Sequence, residues 1–153
     1  MKHCEISQIF FSETYVVPIE QTAQSLFRLL PHGKAYADRM IDAMATGCLI
    51  AVLESICARE MQPHLHHDED MVVGSSVQFQ HRAPIPSGAL IKADGWVIGI
   101  GDRDATFWVR ASDEHEVVCE GEIRFAVVQR AVLERRLQCK REAIARRQLF
   151  ATA

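Results

Sequence analysis

Two periodicities divide this chain. From Cys48 to Ala58 every residue is apolar except Glu54 and Ser55. Apolar side chains there fall on all sides of a 3.6-residue period, which predicts a helix over 45–61 that is buried nearly all round. Thr46-Gly47 starts it, with the Thr46 oxygen expected to cap free N–H groups. Pro63 stops it. Further on the period is two. In 73–81, Val77, Phe79 and His81 share one face and Ser76, Gln78 and Gln80 the other, so His81 stands on an apolar face expected to pack on the helix. Strands are also predicted over 89–98, 106–112 and 117–128, with turns at 84–88, 99–103 and 113–116.

Before the helix, 6–17 reads as a first strand closed by Pro18, and 20–30 as a short helix or turn. Residues 31–34 form a loop, and 36–44 a helical lead-in. The segment 62–70 is a polar loop. Residues 130–150 form an exposed helix with a narrow stripe of Leu133, Leu137 and Ile144. Strand, long helix, then four strands predicts an α+β domain, an antiparallel sheet wrapped around one helix. The whole chain, 1–153, is read as one domain with a core of about 6–128 and a C-terminal basic helix.

Composition narrows the partners. Apolar residues make up 48% and charged ones 24%, as in ordinary globular proteins. The net charge of −3 argues against bulk nucleic-acid binding, although seven Lys/Arg against two Glu follow Gln129. Five scattered cysteines without a Cys-x-x-Cys pair suit small buried side chains in a reducing compartment. The first residues carry no apolar run of signal-peptide length, and Glu54 and Ser55 interrupt the best candidate for a membrane span. A cytoplasmic protein with no membrane partner is expected.

The candidate chemistry starts with Glu54. A carboxylate inside an apolar helix is costly unless paired, and such groups are candidates for function. His81 is the natural base at neutral pH. His64, His66, His67, Asp68 and Asp70 match no closed zinc spacing, so no metal is expected.

These pieces resemble the fluoroacetyl-CoA thioesterase family, whose fold is the hotdog. The resemblance rests on Ala45-Thr46-Gly47 followed by Leu53-Glu54, Val73-Gly74 before the strand ending in His81, then Pro86-Ser87-Gly88 and the late strand 121–128. It implies a catalytic trio of Thr46, Glu54 and His81 acting on a small acyl thioester of coenzyme A. In that reading His81 is the base and Glu54 its orienter or the activator of water. Thr46 is a nucleophile or a positioner. Free N–H groups at the helix start and backbone near Gly74 would receive the carbonyl oxygen. The resemblance also implies a homodimer joined sheet edge to sheet edge, and no cofactor beyond the coenzyme A of the substrate.

Two positions depart from the family pattern. Met40 stands where a gate phenylalanine is expected, so fluorine selectivity does not follow. Arg124 comes one position early and shares a face with Glu120 and Glu122, leaving a weak case for substrate contact. Thr46 and Glu54 are eight residues apart, roughly 12 Å along a straight helix. They cannot touch unless the helix bends, the acyl group lies between them, or a second subunit completes the site. Two other readings stand beside hydrolysis: a hotdog dehydratase or hydratase, and a non-catalytic acyl-CoA-binding module.

Overall fold

The computed structural model describes residues 1–151, with side chains through residue 148. Residues 152 and 153, included in the expected single domain, lie outside the described residues. The elements run α1 (His3–Ile6), β1 (Phe10–Val16), α2 (Ala23–Leu29), α3 (Lys34–Ala37), α4 (Thr46–Met61), β2 (Asp70–His81), β3 (Leu90–Ile100), β4 (Asp104–Ser112), β5 (Val117–Gln129) and α5 (Arg130–Ala151). Single 3-10 turns occupy Ile19–Gln21 and Gln62–His64, the second holding Pro63 at the end of α4.

The five strands form one antiparallel sheet in the order β1-β3-β4-β5-β2. Alternation sorts their side chains as expected. Phe107, Val109 and Ala111 of β4 are buried, as are Ile123, Phe125 and Val127 of β5. The rings of Phe107 and Phe125 meet edge to face at 5.7 Å within the core. This is the hotdog arrangement, a long helix held on one face of an antiparallel sheet.

The helix itself differs from expectation. Only one stripe of α4 is buried: Leu49, Leu53, Ile56, Cys57 and Met61. Gly47, Ala51, Ser55 and Arg59 are exposed on the other side. Small side chains made that side read as apolar, but Gly and Ala gain little from burial and do not force it. The lead-in also differs. Residues 38–45 are not helical, and bridges pair Met44 with Thr22 and Ala43 with Pro86.

Those bridges place the start of α4. Strands β2 and β3 are not a hairpin, since β2 lies at one edge and β3 next to the other. Residues 82–89 therefore cross over between them. On the way the Met44 amide donates to the Ile85 carbonyl, and the Gly88 amide to Val17. The first turn of α4 is thus tied to the chain just after His81. At the far end α5 leaves the sheet, exposed through residue 148 apart from half-buried Leu133.

Candidate active site

Thr46 is the first residue of α4, and His81 is the last of β2. Thr46 Oγ1 lies 3.0 Å from His81 Nδ1. The expected cap is therefore absent. Ala45 occupies the capping position, no side chain caps the helix, and the Thr46 hydroxyl lies against the imidazole instead. Thr46 and Gly47 head the helix, where backbone amides lack intrahelical acceptors.

His81 is half-buried, and its Nε2 has no hydrogen-bond partner among the described residues. Burial holds its pKa below the ordinary histidine value, against a weaker upward pull from the Ala83 backbone. The imidazole is therefore neutral at pH 7 and offers a lone pair.

Glu54 lies two turns further along α4. It is half-buried at the edge of the core, not sunk within it. Its carboxylate reaches Gly74: a Cβ built on Gly74 would stand 2.1 Å from Glu54 Oε1. Any side chain at position 74 would displace the acid, which explains the glycine. Among the described residues Glu54 makes no ion pair with His81. Within one chain the structure brings Thr46 to His81 and Glu54 to Gly74. The two pairs are roughly 12 Å apart along the helix.

A bulge makes both pairs possible. Side chains alternate along a strand, so Gly74 and His81, one even and one odd, belong on opposite faces. The register between β2 and β5 shifts between Gly74 and Ser76, leaving Ser75 as the extra residue. Gly74 then opposes buried Phe125, and His81 opposes buried Cys119. Both face α4. Ser75 donates its hydroxyl to the Arg124 carbonyl, which holds the bulge to β5.

A cavity of about 410 Å³ opens beside the Thr46–His81 contact. Its walls include Leu26 and Phe27 of α2 and Met40 and Ile41 of the segment before α4. Met40 thus borders the site. Leu26, Phe27 and Ile41 did not stand out in the sequence, where they lie in short, weakly patterned segments. Their one signal is apolar side chains left outside any periodic element. Arg124 does not line this cavity. It pairs at 3.1 Å with Asp104.

The histidine-rich loop is otherwise engaged. His64 Nδ1 contacts Glu5 at 2.9 Å, and buried Asp70 pairs with Arg103 at 3.1 Å. Among the described residues no three His, Cys, Asp or Glu side chains are grouped to hold a metal ion. All five cysteines are free. Only Cys57 and Cys119 are buried, and burial pushes their thiols up to about 12 and about 11. Among the described residues no helix is long and apolar enough to cross a membrane.

Comparison with known proteins bears on the family and the fold. Residues 32–131 match the family model for fluoroacetyl-CoA-specific thioesterases. The fluoroacetyl-CoA thioesterase of Streptantibioticus cattleyicolor is 25% identical over 118 residues, 77% of this chain and 81% of that protein. A solved structure of a fluoroacetyl-CoA thioesterase superposes with a TM-score of 0.78 at 22% identity, covering 86% of this chain and 94% of that one. A hot-dog-like protein from Thermanaerovibrio acidaminovorans gives 0.75 at 18% identity, over 92% and 97%. With two thirds of its length matched, the chain belongs to the family of fluoroacetyl-CoA-specific thioesterases, enzymes that hydrolyse acyl-CoA thioesters.

Proposed function

We propose that hydrolysis takes place at the Thr46–His81 end of α4, with Glu54 supplied by a second copy of the chain. The observation carrying this reading is the 3.0 Å contact between Thr46 Oγ1 and His81 Nδ1 beside an apolar cavity. A hydroxyl within hydrogen-bond reach of a neutral imidazole is a nucleophile paired with its base.

The Thr46 hydroxyl donates to Nδ1. As Oγ1 attacks the thioester carbonyl, its proton passes to His81, and negative charge grows on the carbonyl oxygen. Amides at the start of α4 are placed to receive that charge. Collapse breaks the carbon–sulfur bond, and His81 returns the proton to the departing coenzyme A thiolate. Water then attacks the acyl ester on Thr46 and passes its proton to His81; the bond to Oγ1 breaks, His81 returns the proton to Thr46, and the free acid leaves. Glu54 orients or activates that water. Each proton is carried by a side chain of the protein, so the route requires no metal or redox cofactor.

Glu54 cannot reach this end of its own helix, which motivates a homodimer. Strand β2 is a twelve-residue edge, with Gly74 through Gln78 exposed and Val77 at 40% exposure. An unprotected edge of that length is a template for another strand. Antiparallel pairing of two β2 strands about a two-fold axis sets the Gly74 region of one copy against the His81 region of the other. The free cysteines suit a reducing compartment such as the cytoplasm.

Mixing two inactive variants tests the reading. His81→Ala and Glu54→Gln proteins, unfolded together and refolded, form heterodimers in which one site keeps both an intact His81 and an intact Glu54. Free thiol released from acyl-CoA should reappear in the mixture. No recovery despite proven heterodimers would place Glu54 outside the partner's site.

A further inference from the structure

We infer that the acyl group this enzyme takes is apolar and longer than two carbons, in the range of about four to eight carbons. The inference rests on the site proposed above, and three features of the cavity carry it.

The first is space. The cavity measures about 410 Å³. A two-carbon acyl group holds three heavy atoms and fills roughly the volume of three waters, ~90 Å³. It would leave most of the cavity to solvent.

The second is chemistry. Among the described residues of one chain, only Thr46, His81 and Arg82 bring polar side chains to the wall, all at the end where the second copy would add Glu54. His81 is bonded to Thr46, and Arg82 follows it in the chain. Arg82 is already committed, with its guanidinium on Glu120 and on Gln80. Beyond that end, the walls from α2 and from Met40 and Ile41 offer no side-chain donor or cation. A carboxylate, hydroxyl or fluorine on the acyl group finds nothing there to pair with, whereas a hydrocarbon tail does.

The third is the state of those walls. Ile41 is 66% exposed. A tail lying against it removes apolar surface from water on both sides. Each buried methylene should raise kcat/KM about fourfold until the cavity is full.

The experiment is a panel of acetyl-, fluoroacetyl-, butanoyl-, hexanoyl-, octanoyl- and succinyl-CoA, read as free thiol. Hexanoyl-CoA should exceed acetyl-CoA in kcat/KM by about 250-fold, the product of four fourfold methylene steps. Fluoroacetyl- and succinyl-CoA should fall with or below acetyl-CoA. Two variants assign the preference to this cavity. Met40→Trp fills it and Ile41→Asp polarises an exposed wall position, so each should lower the hexanoyl-to-acetyl ratio at least tenfold. Acetyl- or fluoroacetyl-CoA matching hexanoyl-CoA, or ratios unmoved in both variants, would overturn the inference. Binding separates it from the hydrolysis reading. If no acyl-CoA is turned over, the function fails, while tighter binding of hexanoyl- than acetyl-CoA by calorimetry would still support the acyl class. Equal affinities would overturn that too.

Discussion

Two contacts between α4 and β2 use the same helix and the same strand for different ends. At the first, a hydroxyl meets an imidazole at 3.0 Å beside an apolar cavity. At the second, a carboxylate rests on a glycine at the exposed sheet edge. Burial keeps His81 neutral and available as an acceptor, whereas Glu54 rests against the edge strand of the sheet. In the proposed reading the first contact is a nucleophile and its base, which proton transfer requires to lie within hydrogen-bond distance. A group that acts on water can come from elsewhere.

The comparison is broken most severely by removing the base. His81→Ala should lower kcat by about a thousandfold while the circular dichroism spectrum stays native, since general-base side chains contribute 10²–10⁴. A loss below tenfold would remove His81 from the chemistry.

Gly74→Ala touches only the second contact. The added methyl would meet the tip of the flexible Glu54 side chain, so the acid swings aside at small cost, within ~1 kcal/mol in urea unfolding. Activity should nevertheless fall about 10–100-fold, because a small displacement of a positioned group is costly in rate. Loss of stability with unchanged kcat would mark the glycine as purely structural.

The smallest effect sharpens the first contact through pH. His81 must be neutral to accept a proton, and burial lowers its pKa below 6.5. The acid limb of kcat/KM should therefore lie below pH 6.5, with a plateau from there to about pH 8. The sign for folding is the same. The unfolded chain binds this proton more readily, so the contribution of His81 to stability is present above its unfolded pKa and is lost as pH falls through the lower native value. An acid limb centred above pH 7 would point to a different base.

Much of this was legible from residue order. Alternation in β4 and over 119–127 of β5 gave the buried face. Thr46 and His81 were visible as candidates, and the structure brings them together. Their contact was not visible, since it depends on the crossover at 82–89 tying the start of α4 to the end of β2. The exposed side of α4 was misread because hydropathy counts Gly47 and Ala51 as apolar without weighing how little area they remove from water. Within one chain Glu54 rests against Gly74, a separation from the helix start that the spacing of Thr46 and Glu54 had already signalled. The bulge left no mark in the pattern, because Gly74, Ser75 and Ser76 carry no hydrophobic contrast to reveal a change of phase.

Ser75 therefore works as a parity switch. Deleting it would restore simple alternation and turn every residue on one side of the gap over, sending either Gly74 or His81 to the solvent side. Few positions in this protein should tolerate a missing residue less, even though Ser75 itself is exposed and small.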